Sequence, residues 1–132
     1  MSFQGKQMLI TIQASEALNN LNAGTGDLYK TVDTEGGTGK LGGGNYGILQ
    51  YGADNAGHVS VCWFGESKFV AGLAVSAGAA IATAANGFLV TAASGQVVVG
   101  RNLDTAVASG AVGTGIFNFA NPYVAVNSNG FY

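Results

Sequence analysis

Few residues in this chain have types and spacings that could carry chemistry. Gly37-Thr38-Gly39-Lys40-Leu41-Gly42 spells G-x-G-x-x-G. That pattern cradles a dinucleotide pyrophosphate when it follows a strand and opens a helix, because backbone N–H groups then converge on the anion. Here Gly43-Gly44-Asn45 follows, a run that does not open a helix. The same stretch holds Gly39-Lys40, but Leu41 stands where a P-loop has Ser or Thr, and Thr34 where it has its first Gly. No hydroxyl is in place for a Mg²⁺ ion, so the segment reads as a glycine loop.

Asp54, His58 and Cys62 recur at every fourth position. On a helix they would share a face and could hold a metal, but this stretch alternates as a strand, which separates them. His58 is the sole histidine, so a hydrolase triad has one candidate base. Gly65-Glu66-Ser67-Lys68-Phe69 lacks the second Gly of a nucleophile elbow. Cys62 lies between Val61 and Trp63 and reads as a packed, inert thiol. Asp33 and Glu35 flank a glycine loop with nothing to position them for acid–base work. The expectation is a protein that is not an enzyme, with no metal site and no cofactor.

The elements around these residues are short strands. Gln7–Gln13 alternates Met8, Ile10 and Ile12 against polar neighbours, with Leu9 as an exception. Ser15-Glu16-Ala17-Leu18 could cap one helical turn carrying Leu18 and Leu21. Asp27–Val32, Tyr46–Tyr51 and His58–Phe64 read as strands. The last carries apolar groups on both faces and should be central, with Trp63 and Phe64 filling the core. Gly65-Glu66-Ser67-Lys68 reads as a turn. Residues 35–45 (EGGTGKLGGGN) hold six glycines and read as a flexible loop, since Gly loses the most backbone entropy on ordering. Ala111–Ala120 and Tyr123–Val126 read as closing strands, and residues 1–5 as an arm.

Between Lys68 and Arg101 no charge appears, a span long enough to cross a bilayer as a helix. Its apolar content is mostly Ala and Gly, with Ser76, Thr83, Asn86, Thr91, Ser94 and Gln96 interleaved. Asn86-Gly87 in mid-run is a hairpin signal, because both residues tolerate positive φ. Gly78, Gly87 and Gly95 then follow at intervals of 9 and 8 residues, close to the turn spacing of a β-sandwich or small barrel. An Ala-rich helix over Leu73–Ala85 is opposed by Gly78, which costs about 1 kcal/mol in a helix interior. Strands are the preferred reading, and no membrane span is expected.

At 132 residues the chain reads as one domain, able to hold a modest core without metal or disulfide. A single Cys excludes an intrachain disulfide. Met8 to Ile10 is too short for a signal-peptide core, so a protein that is not exported is expected. Only 9% of residues are charged, a composition suited to a protein that works within an assembly. Five scattered cations make no nucleic-acid footprint.

The stretch from Lys68 to Phe119 resembles the C-terminal part of the capsid decoration, or head cement, proteins of tailed phages. The residues carrying the resemblance are Val70-Ala71-Gly72, Val75, Ala77-Gly78-Ala79, Asn86-Gly87, Val90, Gly95, Val98-Val99-Gly100, Leu103, Ala106 and Ser109-Gly110. The frame is one of short Val/Ala strands, Ala-Gly turns, an Asn-Gly hairpin and a Gly-rich closing strand. The match covers a little under half of the chain, inside a β core placed at residues 66–126. It implies a mainly-β single domain over 1–132, a small barrel or sandwich with terminal arms. It further implies a bacteriophage structural protein, made in the host cytoplasm, that binds the outer capsid surface of the virion. There it would cement copies of the major capsid protein as a homo-oligomer, with trimers favoured. Phe3, Met8, Phe131 and Tyr132 are the candidate capsid or inter-subunit contacts, since terminal aromatics find little core in a small domain. The alternative is a head-surface or head-fibre module recognising host glycans, with Tyr46, Tyr51 and Tyr123 as stacking platforms.

Overall fold

The computed structural model describes residues 6–16, 18, 26–39, 45–52 and 57–125. Nine strands among them form one antiparallel sheet. They are β1 (Gln7–Gln13), β2 (Thr31–Asp33), β3 (Asn45–Tyr51), β4 (His58–Val70), β5 (Ala80–Thr83), β6 (Leu89–Thr91), β7 (Val97–Asn102), β8 (Val112–Asn118) and β9 (Tyr123–Val124). The order is β2-β3-β4-β8-β7-β5-β6, with β1 added on β4 and β9 on β7. A parallel bridge between Ala71 and Leu89 brings β6 back to the end of β4, so the sheet curls into a nearly closed barrel. The mainly-β, barrel-like single domain read from the sequence is the fold observed.

The uncharged run is a set of strands and turns, as its glycines indicate. β5 and β6 pair antiparallel across Ala85–Gly87, where Asn86 and Gly87 both take positive φ, 61° and 78°. The Ala84 N–H donates to the Phe88 carbonyl at 3.0 Å and closes the hairpin. No helix of the described residues is long and apolar enough to cross a membrane.

The core inside the barrel gathers Phe69, Ile81, Leu89, Val99, Phe117 and Phe119 with their neighbours. Phe69 lies on β4 and Phe117 on β8, and their rings meet edge to face. Gly113 and Gly115 leave room for them: a Cβ at Gly113 would lie 2.5 Å from Val107 Cγ2, and one at Gly115 2.8 Å from the Phe117 ring. A second cluster under β1 holds Leu18, Val32, Leu49, Val59 and Val61. A third, on the outer side of β5–β7, is built of alanines and valines with Ala125.

Several expectations need correction. β4 does not turn at Gly65 but runs on to Val70. Gly65 takes φ +108°, and a Cβ there would lie 2.3 Å from the Lys6 carbonyl oxygen, so the glycine permits a kinked strand rather than a turn. Beside it, Met8 pairs with Phe64 and Leu9 with Cys62, which leaves Trp63 as an extra, bulged residue. Phe64 lies with Glu66 on the side of β4 opposite Phe69 and is 42% exposed instead of filling the core, while Trp63 packs partly buried on the barrel core. Asp27–Lys30 is turn rather than strand. Ser15 and Glu16 form a bend, not a helix start, and Ala17 and Leu21 lie outside the described residues.

The described part of the glycine segment, residues 35–39, is packed. Gly36, Gly37 and Gly39 are buried. The Asp33 carboxylate accepts from the Glu35 and Gly37 N–H groups at 2.9 Å each, and Thr38 bridges to Val32. A carboxylate that satisfies two backbone donors holds these glycines in a defined turn.

Candidate interaction surface

Strand register builds one outward face across β1, β4, β8 and β7. Phe117 points into the core at 2% exposure, so its neighbours Ile116 and Asn118 point out. Glu66 of β4 and Arg101 of β7 both pair with Ile116, one on each side. Phe64 pairs with Asn118 on one side and with Met8 on the other. The face thus presents two lateral rows, Glu66–Ile116–Arg101 and Met8–Phe64–Asn118. Phe64, Ile116 and Met8 are 42%, 45% and 52% exposed. Single exposed apolar residues are ordinary on a protein surface; three in contiguous register, rimmed by charge, make this the candidate interaction surface.

Two clefts flank the central pair. One, about 350 Å³, opens between Phe64 and Ile116 and the β7–β9 side, where Val99, Asn118, Asn121 and Tyr123 line it. The other, about 380 Å³, lies between Met8, Phe64, Glu66 and Ile116, with Lys6 at its rim. The Glu66 N–H donates to the Lys6 carbonyl at 3.0 Å, which ties the end of β1 to this face.

Of the residues singled out as contacts, Met8 lies on this face. Phe3, Phe131 and Tyr132 lie outside the described residues. Phe64 and Ile116 were missed as surface residues. Alternation along β8 places Ile116 opposite Phe117, but only the register with β4 and β7 shows what stands beside it. The three tyrosines proposed as a glycan platform do not converge. Tyr123 lines the 350 Å³ cleft, whereas Tyr46 lines a separate cleft of about 210 Å³ with Asn45, Trp63 and Phe119. Tyr51 is 65% exposed and lines neither.

The residues weighed for chemistry are placed as follows. His58 is exposed at the start of β4, and Cys62 is fully buried four positions along the same strand. At about 3.3 Å per residue that separates them by roughly 13 Å. Asp54 lies outside the described residues. Burial pushes the Cys62 thiol up, against smaller opposing effects of backbone hydrogen bonding at Phe64 and Met8. Its Sγ also donates to the Phe64 carbonyl at 3.4 Å. Such a thiol is a poor nucleophile. Ser67 is also buried: its hydroxyl donates to the Lys68 carbonyl and accepts from Gln50 Nε2, each at 2.8 Å. Among the described residues no group of three or more His, Cys, Asp or Glu is placed to hold a metal ion.

No family model and no curated protein matches this chain. Among solved structures it is similar to the N base of the head fibre gp8.5 of bacteriophage phi29. The identity is 15% and the TM-score 0.55, over 86% of this chain and 96% of that one. At that identity the likeness is one of fold, and it extends over nearly the whole of both chains.

Proposed function

We propose that this chain is a structural protein of a tailed-phage head, sited on the outer capsid surface, where it cements neighbouring capsid subunits as a homo-oligomer. The observation that carries the reading is the outward face of Met8, Phe64 and Ile116, set on a fold shared with the base of a phage head fibre. A chain with 9% charged residues and such a face has apolar surface to give to an assembly. Cementing follows from repetition, since many copies each add a modest contact and the shell opens only when many are broken together. Phe3, Met8, Phe131 and Tyr132 are the proposed capsid or inter-subunit contacts.

The test is co-sedimentation with heads that lack the protein, followed by a density map of the decorated head. Purified protein is expected in the head fraction, with regular density outside the shell. Protein that stays in the supernatant, at concentrations well above those in an infected cell, overturns the reading. The fibre-base likeness also favours a second reading, a head-fibre module; in that reading the module would recognise host glycans. A glycan array without hits removes the recognition part of it.

A further inference from the structure

The charges on the outward face are arranged so that the face complements itself. Glu66 and Arg101 occupy the same lateral row as Ile116, one strand to either side of β8. Strand spacing puts their backbones about 9.6 Å apart, with Ile116 midway. Consider a two-fold axis that runs along β8, in the plane between two such faces. It lays Ile116 on Ile116 of the second copy. It carries Glu66 of each copy to the position opposite Arg101 of the other. It also carries Phe64, on the β4 side, over the second copy's β7 side. There the 350 Å³ cleft is lined by Val99, Asn118, Asn121 and Tyr123. A cavity of about 150 Å³ is enough to hold a benzene ring, so this cleft has room for the phenyl group.

We infer that the occupant of this face is a second copy of the same chain, docked face to face about a two-fold axis with Glu66 of each copy against Arg101 of the other. The inference rests on the reading above that the Met8–Phe64–Ile116 face is an assembly surface, and it names what covers it. An isologous contact needs a patch that meets itself, with opposite charges at equal distances on either side of the axis. The row Glu66–Ile116–Arg101 has that form. Aligned packing of two sheet faces, about 10 Å apart, is a standard way to bury such a surface. The two-fold contact differs from the trimer that the decoration-protein resemblance implies, and the two are separable by mass.

The test uses the full chain. Sedimentation or light scattering of the wild-type protein at micromolar concentration is expected to give twice the chain mass of 13.2 kDa. E66R and R101E are then made singly. Each alone brings like charges together at both symmetric contacts and is expected to raise the dimer Kd at least about tenfold. Mixed in equal amounts, the two variants again set opposite charges against each other at both contacts, one contact in the native sense and the other reversed. A heterodimer of near wild-type Kd is therefore expected. Recovery on mixing identifies a contact between copies, because a pairing within one chain gains nothing from it. A monomeric wild type, a mass of three chains, or no recovery on mixing overturns the inference. Binding to heads is measured on the same samples. Head binding by a wild type that is monomeric or trimeric overturns this inference alone. A dimer that ignores heads supports it and overturns the head-binding role.

Discussion

The rings of Phe69 and Phe117 meet edge to face, with 5.9 Å between centroids and 73° between planes. Both are essentially buried, and Gly113 holds open the space beside Phe69. A Cβ at Gly113 would stand 2.5 Å from Val107 Cγ2 and 3.0 Å from the Phe69 ring. Gly113→Val is therefore expected to overpack the barrel and cost about 1–3 kcal/mol. Phe69→Ala leaves a cavity and is expected to cost about 3–5 kcal/mol. Urea denaturation checks both: the midpoint falls while the slope with denaturant is kept.

Gly65 is the second sensitive position. Its φ of +108° and the 2.3 Å approach of a Cβ to the Lys6 carbonyl act together. Gly65→Ala is expected to cost about 1–3 kcal/mol and to loosen β1 from β4. Hydrogen exchange should show earlier exchange along Gln7–Gln13 than along β8. Equal loss of protection in both strands would speak against a local role for this glycine.

Glu16 links the segment after β1 to the turn after β2. Its Oε1 accepts from the Thr38 hydroxyl at 2.7 Å and from the Thr38 N–H at 3.0 Å. These bonds, the hydroxyl first, hold the carboxyl below its ordinary value of 4.5. The sign follows: a carboxyl more acidic in the folded state adds stability above its unfolded pKa, and that stability is lost as pH falls through the folded value. Glu16→Gln is expected to flatten the acid limb of the melting-temperature profile below pH 4.5 and to change little at pH 7 beyond a small exposed contact. An unchanged acid limb would remove Glu16 from the pH response.

Cys62 is fully buried, and burial pushes its thiol up. Labelling by a thiol reagent at neutral pH is expected to follow unfolding of the barrel rather than surface chemistry. Its rate should rise steeply with urea, and it should rise further in Phe69→Ala. Rapid stoichiometric labelling of the native protein would contradict the placement of Cys62.

Phe64 and Ile116 contribute to the outer face and little to the barrel core. Ile116→Ser is expected to change stability by no more than about 0.5 kcal/mol, as exposed positions do. Self-association measured by light scattering should weaken in the same protein. A large stability loss without a change in mass would place Ile116 in the core instead.

Local features were legible before any fold was known. Asn86-Gly87 specifies its hairpin because the two residues that tolerate positive φ are adjacent, and adjacency is a property of sequence. The same local grammar misreads Gly65-Glu66-Ser67-Lys68. Its composition is that of a turn, yet pairing with β1 on one side and β8 on the other keeps it extended. The packed turn at 35–39 was hidden for a similar reason: glycine content signals entropy, while the Asp33 carboxylate that orders the backbone acts through geometry.

By itself the sequence determined the strand-and-turn grammar, the absence of a membrane-crossing helix in the uncharged run, and the small residues that let a barrel close. The tertiary structure decided which side chains face outward together. Glu66 and Ile116 are 50 residues apart in the chain, and Ile116 and Arg101 are 15 apart. Their shared row exists only because hydrogen-bond register aligns three strands, and a shift of one residue in any of them would turn its side chains to the opposite face. Phe64 makes the same point: alternation along β4 sets it opposite Phe69, but only the pairing with Met8 and Asn118 shows that its side is an outer one.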